Sequence, residues 1–350
     1  MLEQIKVLLD TSPLINANAF RGVGVYTRFL IQELEKLAGL KVERSTRASA
    51  KNFKADIIHY PYFDLFFPTL PIIKKQKTVV TIHDVIPLIF ADHYPTGIKG
   101  GLALRKQKLA LKTVQAVITD SEASKQDICQ YLDVPLAKIN VVYLAGNPLI
   151  EPQNKTKIKQ ARKQYQLPQD YVLYVGDINY NKNLVQLIKA IKFLPEGIHL
   201  VLLGKNFKEQ DIPEWQWISS QIAMSNIADR IHFVTEIYGS NIDSLSAIYS
   251  GALCYIQPSL YEGFGLPVLE AMQARTPVVC THNSSLIEIG DGHVVYVDTQ
   301  AQSIAEGIKQ IITWSSEQRL EVIQQAEQWA HSFSWSKTAQ ETYAVYQSLF

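Results

Sequence analysis

Tyr261-Glu262-Gly263-Phe264-Gly265-Leu266-Pro267-Val268-Leu269-Glu270-Ala271 reads as a glycine turn that runs straight into a helix. Gly263 and Gly265 leave a bare backbone that a ligand can approach closely. Pro267 suits the first residue of a helix, where its missing N–H would be unpaired anyway. The helix then continues through Val268, Leu269, Ala271 and Met272 toward Arg275. Its N-terminus, with free amides and a positive dipole end, is an anion site facing the turn. Glu262 stands before the turn and Glu270 falls in the first helical turn. An acid at a helix start is ordinarily a cap worth ~0.3–1 kcal/mol. Two acids around one Gly-x-Gly turn point past capping, to a ligand.

Seven residues separate the two acids, and E-G-F-G-L-P-x-L-E resembles the signature of retaining glycosyltransferases of family 4, with the GT-B fold. The resemblance implies a nucleotide-sugar donor held in a cleft between two domains. Glu270 would take the ribose hydroxyls and Glu262 would face the transferred sugar. Backbone around Phe264 and Gly265, with Gly263 and Leu266, would meet that sugar's hydroxyls.

The whole chain agrees with two domains. Its 350 residues suffice for two ordinary cores. A net charge of +1 provides no field for nucleic acid. Cys129, Cys254 and Cys280 are widely spaced, form no metal pattern and read as free thiols of a reducing compartment. The N-terminal run lacks a signal-peptide layout, and no apolar run approaches the ~18 residues that span a bilayer. The expected location is the cytoplasm, at the inner face of the membrane.

The N-terminal half alternates apolar strands (5–9, 56–60, 78–82, 116–120, 139–143) with helical patterns, which means a parallel sheet. Gly22-Val23-Gly24 lacks the third glycine of a dinucleotide fingerprint. It resembles the family's glycine loop over donor phosphate and acceptor, with Gly22 and Gly24 as binding positions. His83 follows a strand's carboxyl end, where open α/β sheets bind ligands. Thr-Ile-His-Asp-x-Ile-Pro resembles the family segment whose histidine approaches the donor sugar. His83 beside Asp84 otherwise reads as an orientation pair in a loop. The aromatic loop at 62–67 is expected at the domain rim, touching a lipid-linked or saccharide acceptor or making a peripheral membrane contact. A basic helix over 102–117 reads as a solvated face above a core stripe, the alternative being a helix that lies on a membrane.

Residues 151–159 are polar, without apolar period, and are read as the linker. The domains are placed at 1–150 and 160–333, with a last helix at 334–350 that in the family crosses back onto the first domain. In the second half, Lys182 matches the family's basic diphosphate residue. Asn181 and Asp177 stand where relatives commonly carry arginine, so Asp177 is expected to turn away or be paired. As a cleft lysine, Lys182 is expected to contribute little to stability. Backbone near Ile237 would meet the nucleobase. Arg275 replaces a glycine usual before Thr-Pro, and would be strained if left-handed.

The resulting expectation is an α/β chain of two Rossmann-like domains with parallel sheets facing a central cleft. The resemblance implies metal-independent retaining transfer with no cofactor besides the donor substrate, and with Glu262, Lys182 and His83 in the chemistry. GDP-mannose is the first donor, UDP-glucose a further one, and a surface polysaccharide the product. A nicotinamide oxidoreductase would need the full glycine fingerprint, which is absent. A non-catalytic sugar-nucleotide-binding subunit is the alternative.

Overall fold

The computed structural model describes residues 4–15, 22–46, 54–237 and 241–350. The chain divides into two units, Met1–Ala145 with Phe333–Phe350, and Gly146–Ser332. Each carries a six-stranded parallel sheet flanked by helices, the Rossmann-like pair expected from the alternation of strand and helix.

The first unit contains β1 (Ile5–Asp10), β2 (Leu40–Ser45), β3 (Ile57–Tyr60), β4 (Lys77–Thr81), β5 (Ala116–Thr119) and β6 (Ile139–Val141). Their order across the sheet is β2-β1-β3-β4-β5-β6. The helices are α1 (Gly22–Leu34), α2 (Ile86–Ile89), α3 (Gly97–Leu111) and α4 (Glu122–Leu132). β3 and β5 are buried at every position, as strands covered on both faces must be. β2 has no apolar run and was not legible as a strand. It lies at the sheet edge, where one side of the strand needs no partner. Ser121 caps α4 by accepting from the Ser124 amide.

The second unit contains α5 (Lys155–Gln164), β7 (Tyr171–Val175), α6 (Leu184–Ile191), β8 (His199–Leu203), α7 (Pro213–Ser225), β9 (Ile231–Val234), α8 (Ile242–Gly251), β10 (Cys254–Gln257), α9 (Leu266–Gln273), β11 (Val278–Thr281), α10 (Ser284–Gly290), β12 (Val295–Val297), α11 (Ala301–Ile312) and α12 (Ser316–His331). The sheet order is β12-β11-β10-β7-β8-β9. One sequence expectation needs correction, and the condition set on Arg275 is met. The polar stretch at 151–159 is not all linker, because Asn154 accepts from the Thr156 and Lys157 amides and starts α5 there. That helix buries only a narrow stripe around Ala161, too little for a visible apolar period. Arg275 is left-handed, with φ 59°, and its Nε donates to Glu327 at 2.9 Å.

The last helix, α13 (Trp335–Gln347), belongs to the first unit. Ser334 caps it, Trp335 stacks on Phe29 of α1 at 5.3 Å, and Tyr346 reaches His59 under the sheet.

Candidate active site

In the second unit the chemistry gathers at the carboxyl end of β10. Glu262 is 5% exposed, yet its carboxylate is saturated with donors. Oε1 accepts from Lys182 Nζ at 2.7 Å, Gln257 Nε2 at 2.6 Å and Ser259 Oγ at 2.6 Å, and Oε2 accepts from Lys182 Nζ at 2.8 Å. Such charge-assisted bonds are roughly twice as strong as neutral ones. Lys182 is therefore not the exposed cleft lysine expected from sequence. It is 19% exposed and paired, so it bears on the fold as well as on any anion.

The loop carrying Lys182 is sewn to the loop carrying Glu262. Asn181 Nδ2 donates to the Tyr261 carbonyl at 2.9 Å, and the Leu260 amide donates to the Asn181 carbonyl at 2.7 Å. Asn183, left-handed at φ 57°, donates to the Pro258 and Thr299 carbonyls. The asparagine at 181, where an arginine is usual, thus works as a loop tie. Asp177 accepts from Asn206 Nδ2 at 3.2 Å.

Gly265 has φ 110°, a conformation L side chains rarely adopt, and an added Cβ would sit 3.0 Å from Ile289. It N-caps α9, so Leu266 is the first helical residue and Pro267 the second. Ser285 Oγ donates to the carbonyls of Glu262 and Phe264, and Ser284 Oγ accepts from the Glu262 amide. Gly263 and Phe264 are buried in this turn. Glu270 lies beyond the first turn of α9, so it is not a capping acid. It accepts from Tyr249 Oη at 3.0 Å. Burial lifts its pKa, against the Tyr249 bond and one from the Asn147 backbone. Ile237 is buried just after β9, and residues 238–240 lie outside the described set.

A second cluster lies in the first unit. His83 Nδ1 pairs with Asp120 Oδ2 at 2.6 Å. The partner is therefore Asp120 and not the adjacent Asp84, whose Oδ1 accepts from the Ile86 amide to start α2. Burial alone would pull the His83 pKa down, but the Asp120 charge and hydrogen bond outweigh it and hold it above the usual range. The ring packs edge-on against Tyr26 at 4.8 Å. Below it, His59 bridges Tyr346 Oη at 2.6 Å and Thr81 Oγ1 at 2.8 Å, and burial pushes its pKa down to about 3. Gly22 and Gly24 are not in a loop. They form the first turn of α1, with Gly22 exposed and Gly24 buried, and Arg21 before them is outside the described residues.

Sequence reasoning missed Asp120, Gln257, Ser259 and Tyr249 as partners of the site. Asp120 and Gln257 had a signal, since both stand at strand carboxyl ends where such sheets bind ligands. Tyr249 had none, being one apolar-looking position of α8. Among the described residues no cluster of three or more His, Cys, Asp or Glu could hold a metal ion, and no helix is long and apolar enough to cross a membrane.

A buried acid–lysine pair beside a glycine turn, an acid just past the first turn of the next helix and two Rossmann-like sheets define a class, and the family models agree. Glycosyl transferases group 1 matches residues 156–329 and Glycosyltransferase Family 4 matches residues 7–145. The chain belongs to the group 1, family 4 glycosyltransferases, which have the GT-B fold.

Among curated proteins it is 27% identical to the O-antigen chain mannosyltransferase B of Escherichia coli over 307 residues, covering 85% of this chain and 76% of that one. Among solved structures, sucrose-phosphate synthase of Thermosynechococcus elongatus superposes with a TM-score of 0.76 at 20% identity, covering 99% of each chain. HepE of Anabaena, solved in complex with UDP and glucose, gives 0.75 at 16% identity over 99% of this chain and 100% of that one.

Proposed function

We propose that this protein is a retaining hexosyltransferase that moves mannose from GDP-mannose to a saccharide or lipid-linked saccharide during assembly of a cell-surface polysaccharide. The observation that carries the reading is the Lys182–Glu262 pair, held by Gln257 and Ser259 on the same turn that leads to Glu270. Lys182 is the side-chain cation for the leaving diphosphate, whose charge grows in the transition state. Glu262 orients that ammonium and faces the transferred sugar. Glu270 takes the ribose hydroxyls, since Tyr249 and the Asn147 backbone use only part of a carboxylate's roughly four acceptor positions. His83, fixed by Asp120, approaches the donor sugar. The protein's share is positioning and electrostatics, and no metal is needed for the diphosphate.

The name of the E. coli relative supports mannose and surface polysaccharide. The HepE complex supports a nucleoside-diphosphate donor and makes UDP-glucose the competitor to test. The experiment offers radiolabelled GDP-mannose and UDP-glucose to the protein alone, with and without EDTA, and follows release of labelled sugar from the nucleotide. Turnover of GDP-mannose that survives EDTA is expected. Nucleotide binding by melting shift, with no turnover of either donor, would overturn the reading in favour of a non-catalytic binding subunit.

A further inference from the structure

The basic helix expected over 102–117 runs instead over Gly97–Leu111, with Arg105 and Lys106 solvated above a core stripe as expected. Its exposed side also carries apolar side chains. Gly100, Ala103, Gln107, Ala110 and Leu111 are buried against the sheet. On the outward side Ile98 is 85% exposed, and Leu102 and Leu109 are about half exposed. At about 100° per residue these three fall within an arc of roughly 40°. The same geometry sets Arg105 and Lys112 along one margin of the stripe, and Lys106 and Lys99 along the other. α3 contains no Asp or Glu.

The neighbouring loop widens the stripe. Gln107 Nε2 donates to the Asp64 and Phe67 carbonyls at 2.8 and 3.1 Å. Lys74 Nζ donates to the Ala110 carbonyl at 2.5 Å, and Thr113 Oγ1 to the Ile72 carbonyl at 3.3 Å. The loop is thereby pinned along the flank of α3, with Phe67 70% and Ile73 84% exposed. Phe63 and Leu65 point the other way into the core, so only part of the aromatic loop reaches the surface. Two acids beside it are engaged: Asp133 by Lys108, and Asp64 by the Phe66 and Phe67 amides and Tyr62. A cavity of about 480 Å³ opens behind the loop, with Ile58, Tyr60, Leu70 and Ile73 in its wall.

We infer that the outward face of α3, with the loop at Phe67 and Ile73, docks this protein on an anionic lipid surface. An apolar stripe without acids, edged by cations, fits the boundary between headgroups and acyl chains. Alkyl side chains enter the acyl region while the flanking ammonium and guanidinium groups stay among phosphates. The cavity behind the loop is lined by apolar residues together with Lys74, Lys75 and Gln76, so it offers both alkyl and cationic groups. The inference deepens the proposed function, in which a lipid-linked saccharide is one acceptor. Its test contains no donor and no acceptor, so the two can fail separately.

The test is sedimentation of the full chain with vesicles of phosphatidylcholine alone, and of phosphatidylcholine with an equal part of phosphatidylglycerol. The protein should pellet with the anionic vesicles and be released by high salt, because screening shortens the reach of the cations. Ile98→Ser with Leu102→Ser and Leu109→Ser should weaken that binding on the order of a hundredfold while the melting temperature holds, since the side chains are exposed in the folded protein. Lys99→Glu with Lys106→Glu should cost roughly fivefold for each cation removed, and more with the reversal. Wild-type protein left in the supernatant of anionic vesicles, or a triple-serine variant that binds like wild type, would overturn the inference. So would a wild-type dimer in sedimentation velocity that the triple variant abolishes, because the face would then be covered by a second copy.

Discussion

Replacing Lys182 with methionine removes the cation and keeps much of the bulk, and two consequences can be separated. The first is stability. Glu262 would keep Gln257 and Ser259 on Oε1 but lose the ammonium that bridges both its oxygens. Removing one partner of a buried pair costs ~3–5 kcal/mol. Two neutral donors remain and Lys182 is 19% exposed, so a cost about 1 kcal/mol below that range, about 2–4 kcal/mol, is expected. At ~2–4 °C per kcal/mol for a domain of this size, the melting temperature should fall by roughly 4–16 °C. Glu262→Gln placed in the same protein removes the stranded charge and should recover most of the loss, which is the double-mutant signature of a real pair. The second consequence is rate. Loss of one transition-state donor costs on the order of 10²–10³ in turnover. Stability recovered by Glu262→Gln should bring no recovery of rate, because the diphosphate still lacks its cation. Calorimetry and donor turnover on the single and double variants are the assays. A Lys182→Met protein that melts like wild type and turns over donor within a few-fold of it would refute both halves of the reasoning.

Glu270→Gln should weaken nucleoside-diphosphate binding roughly tenfold or more, as a charged acceptor of hydroxyls is lost, and unchanged ligand-induced melting shifts would remove Glu270 from the ribose site. His59 is held neutral with its pKa pushed down to about 3, so its contribution to stability is fully present above ~6.5 and is lost as pH falls from ~6.5 toward about 3. The slope of stability against pH should approach ~1.4 kcal/mol per unit for this one proton below pH 6. His59→Gln should flatten the wild-type curve between pH 6.5 and 5, and parallel curves would show that another group titrates there. Gly265→Ala forces a side chain into φ 110° against Ile289 and should cost ~1–3 kcal/mol, checked by urea unfolding.

Much of this site was legible because its residues are contiguous. Glu262, the glycines and Glu270 lie within nine positions, so local rules of turn and helix chemistry reach all of them. Lys182 was legible as the family's basic diphosphate residue, but not as a partner of Glu262. That it meets Glu262 depends on β7 and β10 being neighbours in the sheet, eighty positions apart in the chain. His83 was visible too, with the adjacent Asp84 as the only partner the sequence offered. The true partner, Asp120, sits at the end of the next strand in the sheet, and β4–β5 pairing brings it there.

The amino-acid sequence by itself determined the α/β class, the inner strands of both sheets, the anion-ready turn at Gly263 and Gly265, and the family. Each of these follows from contacts within a few residues or from an apolar run buried on both faces. The tertiary structure alone decided which charges meet, that Asn181 ties loops together, that Gly22 and Gly24 are helical, and that α3 shows an apolar face outward. The edge strands β2 and β12 belong to the same group. The physical reason is common to all of them. A side chain's partner, and whether its apolar surface is covered, are set by packing between segments distant in sequence, and local periodicity carries no record of what lies opposite.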